Sequence, residues 1–270
     1  MIDSYLKKTE DALRKLFDEK RRLYPERLFS AMEYSVFSSG KRVRPYLMLL
    51  SADFVDVSSE KILPLAVSLE LIHNYSLIHD DLPCMDDDDF RRGKTSCHKA
   101  FGEAIALLAG DALLNLAYEN LFEAVKTDPD LITAASYLAK CAGAEGMIGG
   151  QAMEFSIDAF DETLITELCM KKTGALICAA ALCPAFVCAD REKFNALGTF
   201  ASAIGLCFQL KDDLLDENKS EPKSYLGVTG KEHTADMVAK LGKIAFKALE
   251  PFENADNLRN LTEFLLNRTK

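Results

Sequence analysis

The chain has 270 residues, 49% hydrophobic and 27% charged, with a formal net charge of −10. That length can bury a sizeable core, and the acidic balance excludes a general nucleic-acid surface, which needs a basic face. Glycine (14) and proline (8) are few and scattered and nothing reads as a linker, so residues 1–270 are expected to form a single domain.

The N-terminal MIDSYLKKTEDALRK has no uninterrupted apolar stretch and carries acidic residues, which fits neither a signal peptide nor a transit peptide. The longest apolar run, Gly174 to Ala189, is broken by Pro184 and lies between Lys172 and Asp190. It suits a buried helix, and no membrane span is expected. The eight cysteines show no CxxC spacing and mostly sit in apolar stretches, so reduced thiols and a cytoplasmic location are expected.

Helical periodicity dominates, and alternating strand-like runs are almost absent. From Glu60 onward, EKILPLAVSLELIHNYSLIHDDL places Leu65, Leu69, Ile72 and Leu77 near one stripe, with Ser58 or Ser59 as the N-cap. This helix delivers Asp80 and Asp81 at its C-terminal end, where carboxylates oppose the macrodipole. Further helical segments are predicted over Ala104–Val125, Leu131–Met147, Thr163–Leu182, Lys193–Leu215, Thr234–Leu249 and Leu258–Leu266. Several are apolar nearly all round, so the expected fold is all-α, a large bundle with helices buried on more than one side.

The segment HDDLPCMDDDDFRRGK, from His79 to Lys94, holds six aspartates followed by three cations. Carboxylates crowded in this way repel one another unless something strongly positive sits among them, and a divalent metal is the natural candidate. Asp80 and Asp86 are six apart with Pro83 between them, so the helix must end or bulge near Leu82 for Asp86 to turn back toward Asp80. A second cluster, FQLKDDLLD, puts Asp212 and Asp216 at i and i+4 on one helix face with Asp213 between them. All these donors are hard oxygens, which favours Mg²⁺ over Zn²⁺. A calcium loop counted from Asp80 or Asp86 would place Leu82 or Phe90 where an oxygen ligand belongs.

Mg²⁺ held by one or two carboxylates usually completes its shell with substrate phosphates. Cations suited to phosphate occur in Gly40-Lys-Arg-Val-Arg-Pro45, in Arg91-Arg92-Gly93-Lys94 and in Lys171-Lys172-Thr173-Gly174, with His73 as a further donor. Taken alone, an aspartate run is more often a solvated loop and GKRVRP more often a solvated turn. Their joint occurrence argues for more than one polyphosphate group bound at once.

These residues resemble the trans-isoprenyl diphosphate synthases, and within them the bacterial farnesyl diphosphate synthases. The likeness rests on GKRVRP, LELIHNYSLIHDDLPCMDDDDFRRGK, FGEAIALLAGDALL, GMIGGQAME, KKTGALI and FQLKDDLLD in that order. It implies an isoprenoid-synthase fold, a homodimer of helical bundles in which the two aspartate motifs face each other across a deep apolar cavity. It further implies Asp80, Asp86 and Asp212 as ligands of Mg²⁺, three ions per site, with Asp81 in support and Asp213 and Asp216 completing the second motif. Lys41, Arg44, His73 and Arg92 resemble the isopentenyl diphosphate site. Arg91, Lys172, Thr173, Gln209 and Lys223 resemble contacts to the allylic diphosphate, and Arg268 and Lys270 resemble a basic tail. The implied catalytic set is Asp80, Asp81, Asp86, Arg91, Lys172 and Asp212.

The reaction implied is ionisation, condensation and elimination to farnesyl diphosphate, with geranylgeranyl or geranyl diphosphate as the nearest alternative products. Tyr75 and Ser76 lie about one turn before Asp80, which makes Tyr75 a candidate floor for the growing chain. A terpene cyclase would need no isopentenyl site, and a regulatory subunit is expected to have lost metal ligands. The chain departs from the family pattern at Glu154, where an aspartate is usual, and between Asp216 and Lys223, where only Glu217 to Pro222 stand and about a dozen residues usual in the family do not appear.

Overall fold

The computed structural model describes residues 2–38, 40–215 and 223–268, and it is all-α apart from one small hairpin. The chain forms two compact units, residues 1–46 with 63–129, and residues 47–62 with 130–270.

The first unit contains α1 (Ile2–Lys20), α2 (Glu26–Val36), the start of α3 (Val43–Phe54), most of α4 (Ser59–Asp80), α5 (Cys97–Phe101) and α6 (Glu103–Thr127). Thr9, Leu13 and Phe17 are the buried face of α1, and the Phe17 ring meets Phe29 and Phe37 with centroids 5.7 and 5.1 Å away. Lys20 ties α1 to Glu119 of α6 at 2.8 Å. Ser58 Oγ accepts the Glu60 amide at 3.2 Å, so the serine cap expected ahead of α4 is in place.

A single apolar stripe was expected on α4, but every residue from Leu65 to Ile72 is buried, Ser68 and Glu70 included. The helix is enclosed on all sides, so its polar groups need internal partners. Ser68 Oγ donates to the Ala117 carbonyl at 3.0 Å, and Asn120 Nδ2 donates to Pro64 O and Ser68 Oγ, each at 2.8 Å, fastening α4 to α6.

Glu70 answers a charge. Arg42, with a left-handed φ of 48°, turns inward and places Nη1 2.6 Å from Glu70 Oε1, and its Nη2 donates to the Val36 carbonyl and to Glu10 Oε2. Asn74 Nδ2 donates to Glu70 Oε1 at 3.1 Å and to the Glu70 carbonyl at 2.7 Å. This network fixes the GKRVRP loop against α4, with Arg42 as its anchor.

After α4 the chain reverses. The Asp86 amide donates to the Asp80 carbonyl at 2.9 Å, and the two-residue strands β1 (Phe90–Arg91) and β2 (Lys94–Thr95) pair antiparallel. Arg92 (φ 54°) and Gly93 (φ 76°) between them both take left-handed backbone, as a type I′ turn requires.

The second unit is built on α11 (Arg191–Leu215), which packs against α9 (Glu162–Cys169), α10 (Ala175–Leu182), α12 (Tyr225–Thr229), α13 (Lys231–Leu249) and α14 (Asp256–Asn267). Phe200, Ala201, Ala203, Ile204, Leu206, Cys207 and Leu210 are buried around much of α11. The predicted segment Leu131–Met147 is interrupted. α7 (Ile132–Ala142) stops at the extended Gly143, and α8 (Met147–Ser156) starts afresh. The predicted Thr163–Leu182 segment runs on through a π-helical turn, Met170–Gly174, between α9 and α10. Gly150 on α8 lies against that turn so closely that a Cβ would stand 2.3 Å from the Lys172 amide nitrogen.

All eight cysteines are free, and six of them are buried. Among the described residues α6 is the one helix long and apolar enough to cross a membrane by length and composition.

Replacing Glu70 by alanine leaves the buried Arg42 guanidinium with only the longer pairing to Glu10 at 3.3 Å, and is expected to lower unfolding free energy by about 3 kcal/mol in urea titrations, the lower end for a broken buried pair. The Arg42→Met/Glu70→Leu pair is expected to recover most of that loss. A Glu70→Ala change worth less than about 1 kcal/mol would remove the network from its anchoring role.

Candidate active site

In the first unit, α4 and the hairpin bring together most of the cations and carboxylates singled out in the sequence. Asp81 is 2% exposed, and Arg91 Nε donates to its Oδ1 at 2.8 Å, while Arg91 Nη2 bonds both Asp81 Oδ1 and Asp88 Oδ2. Burial pushes the Asp81 carboxyl above the usual carboxylate range, and the Arg91 guanidinium pulls in the opposite direction. Asp81 therefore holds Arg91. Asp80, half-buried at the end of α4, and the exposed Asp86 are joined through the backbone bond that reverses the chain.

Arg44 Nη1 lies 3.3 Å from His73 Nε2. Arginine has only donors, so His73 Nε2 accepts and the ring proton is on Nδ1. Burial, reinforced by Arg44, Arg92, Arg42 and Arg91, holds the His73 imidazole well below its ordinary pKa. The Arg92 guanidinium rests on the backbone of Gly40, where a Cβ would stand 2.5 Å from Nη1, so Arg92 and Lys41 belong to one locality. Lys41, Arg44, His73 and Arg92 are thus gathered around the GKRVRP loop.

Tyr75 is buried on α4, edge-on to His79 at a centroid separation of 5.7 Å. Its hydroxyl has no hydrogen-bond partner among the described residues, and burial raises its pKa. Ser76 Oγ is turned back onto the His73 carbonyl at 3.0 Å.

In the second unit, a polar chain runs from the π-helical turn across α11. Thr173 Oγ1 donates to Gln209 Oε1 at 2.6 Å, and Gln209 Nε2 donates to Asp213 Oδ1 at 2.8 Å. Asp213 Oδ2 in turn accepts the Tyr225 amide at 2.9 Å. Asp213 therefore secures the start of α12. Asp212 Oδ1 is 2.8 Å from Arg268 Nη2, and that guanidinium also stacks over Phe208 at 4.4 Å. Asp216 and Lys270 lie outside the described residues.

Glu154, noted in the sequence only as a departure, organises this region. Its carboxylate takes the Lys172 ammonium, and its carbonyl accepts Lys223 Nζ at 2.7 Å. Arg42 and Glu70 were likewise missed as a pair. The signal was a lone glutamate within the apolar run LAVSLELI.

The carboxylates of Asp80, Asp86 and Asp212 have the hard-oxygen chemistry that suits Mg²⁺, and the reversal at Asp86 turns the first motif back on itself. Among the described residues, however, the one group of three potential metal-ligating atoms lying within 4.8 Å of one another is that of Asp87, Asp89 and His98.

The polyprenyl synthetase family model matches residues 25–270. The chain is 36% identical over 285 residues to geranylgeranyl pyrophosphate synthase 4 of Arabidopsis thaliana, covering 97% of this chain and 77% of that protein. It is 42% identical over 234 residues to farnesyl diphosphate synthase of Escherichia coli strain K12, covering 83% of this chain and 75% of that one. A crystal structure of a geranyltransferase from Legionella pneumophila superposes with a TM-score of 0.92 at 36% identity, covering 99% of this chain and 96% of that one. From the match over residues 25–270 and these relatives, the chain belongs to the polyprenyl synthetase family, the trans-prenyltransferases.

Proposed function

We propose that this chain joins isopentenyl diphosphate to an allylic diphosphate, dimethylallyl or geranyl, and releases (2E,6E)-farnesyl diphosphate. One observation carries the reading: cations built for diphosphate, Arg44 with His73 and Arg92 beside Lys41, are assembled in the same unit as the Asp80–Asp86 reversal. The reading takes residues 1–270 as one functional domain.

Lys41, Arg44, His73 and Arg92 bind the isopentenyl diphosphate. With His73 neutral and Nε2 committed to Arg44, its Nδ1–H is the ring donor left for a phosphate oxygen. Arg91, Lys172, Thr173, Gln209 and Lys223 hold the allylic diphosphate, with Asp81 positioning Arg91 and Glu154 positioning Lys172. Asp80, Asp86 and Asp212 hold Mg²⁺, three ions per site. When bound, the metal stabilises the negative charge that builds on the departing diphosphate.

The allylic C–O bond breaks and the diphosphate leaves with the electron pair. Cationic side chains fixed before the reaction stabilise that charge without reorganising. The isopentenyl double bond then attacks the allylic cation, and a proton is lost to the departed diphosphate. Apolar helices keep out water, which would trap the cation as an alcohol. Tyr75 is the floor that stops growth at fifteen carbons. For the homodimer, α6 offers the exposed Leu107, Leu108 and Phe122 to a second copy.

Purified protein incubated with Mg²⁺, isopentenyl diphosphate and geranyl diphosphate is expected to yield farnesol after dephosphorylation and chromatography. Geranylgeraniol as the main product would replace the farnesyl reading, and no product would overturn both. Tyr75→Ala is expected to shift the product toward twenty carbons and beyond, whereas unchanged fifteen-carbon output would remove Tyr75 as the floor.

His73 also makes a pH prediction. Its native pKa is depressed while the unfolded imidazole titrates near 6.5, so below that pH the unfolded chain binds a proton that the native one refuses. Wild-type stability therefore falls as pH drops through that range. His73→Gln is expected to abolish about 1 kcal/mol of that fall between pH 7.5 and 5.5 in urea unfolding. Parallel pH profiles for the two proteins would contradict this.

A further inference from the structure

We infer that Asp87, Asp89 and His98 form a separate site for a borderline divalent cation, Zn²⁺ in the first instance, distinct from the Mg²⁺ ligands assigned to the first aspartate motif. The hairpin creates it. Phe90 pairs with Thr95, Arg91 pairs with Lys94, and the Ser96 amide donates to the Asp89 carbonyl at 3.0 Å. Residues on the two sides of the loop are thereby brought side by side, and a ring nitrogen of His98 and a carboxylate oxygen of each aspartate all fall within 4.8 Å of one another.

The aspartates alone would not make a site, since both are exposed. His98 supplies the independent argument. It is 5% exposed, its Nδ1 is 3.1 Å from Ser96 Oγ, and its Nε2 is buried with no hydrogen-bond partner among the described residues. A buried ring nitrogen left unsatisfied loses its hydration with nothing to replace it. If Nε2 carried the proton it would be a buried donor with no acceptor among the described residues. With the proton on Nδ1, donated to Ser96 Oγ, Nε2 keeps its lone pair and is the ring nitrogen left for a cation. That is the usual arrangement of a metal-ligating histidine, whose second nitrogen is fixed by an outer partner.

One imidazole nitrogen with two carboxylate oxygens suits Zn²⁺, which binds nitrogen and oxygen at about 2.0–2.2 Å, better than Mg²⁺, which prefers oxygen alone. Asp89 Oδ1 also meets Lys99 Nζ at 2.6 Å, an exposed pair that leaves the second oxygen available. Two exposed aspartates can rotate to close the remaining distance, with water completing the shell. A bound ion would brace the loop that carries Arg91 and Arg92 by tying its beginning to its end.

The test is calorimetric titration with Zn²⁺ in a large excess of Mg²⁺, using metal-stripped protein in a Cys84→Ser background so that this exposed thiol is not a ligand. One equivalent is expected to bind and to raise the thermal midpoint. Asp87→Asn/Asp89→Asn, which changes only exposed side chains, is expected to abolish both effects, as is His98→Gln. Asp80→Asn/Asp86→Asn is expected to retain both. Absent Zn²⁺ binding, an unchanged isotherm in Asp87→Asn/Asp89→Asn, or loss of binding in Asp80→Asn/Asp86→Asn would each overturn the inference.

Discussion

A guanidinium turned into the protein interior must be met by a carboxylate, and the Arg42–Glu70 pair sets the terms for everything around it. Taking two ions out of water costs several kcal/mol each, repaid only when geometry and extra hydrogen bonds are good. Here Glu70 has Arg42 at 2.6 Å and Asn74 at 3.1 Å, and Arg42 reaches the Val36 carbonyl as well. With Arg42 spent inward, its neighbours are distributed outward. Arg44 meets His73, and the loop backbone at Gly40 becomes the shelf on which Arg92 rests.

The same logic explains the depressed basicity of His73. Burial disfavours the charged ring first, and the four arginines around it add repulsion against a fifth positive charge. A locality this rich in fixed cations is unfavourable in isolation and suits a polyanionic ligand. Asp81 and Asp88 counterbalance Arg91 on the neighbouring side, so the end of α4 is a region of deliberately segregated charge.

Much of this was legible in the sequence, for identifiable reasons. Helices as apolar as α10 and α11 declare themselves, and aspartates or arginines set against such a background declare the chemistry. Other features are hidden by their nature. α1 shows few apolar residues because only a narrow face is buried, and the break at Gly143 lies in Cys-Ala-Gly-Ala, whose small residues read on as helix. Arg42 and Glu70 are 28 positions apart, and nothing in composition says which of two adjacent cations points inward. The hairpin turns through Arg92-Gly93 without the usual Asn-Gly or Asp-Gly signal, so the meeting of Asp87, Asp89 and His98 could not be foreseen.

The π-helical turn at Met170–Gly174 is the least conspicuous of these features, a single added residue within an otherwise continuous α9–α10 rod. Its effect is one of phase. Lys171 stays with Glu167 on its own helix at 2.8 Å, while Lys172 reaches Glu154 and Thr173 reaches Gln209. Excising one residue would restore α-helical pitch and rotate the α9 side of the rod by about 100° relative to the α10 side. Lys172 and Thr173 could then not both keep their partners while α10 stayed seated in its core. The extra residue acts as a spacer between two requirements that one regular helix cannot satisfy together: a buried apolar face beyond Gly174 and a polar face before it.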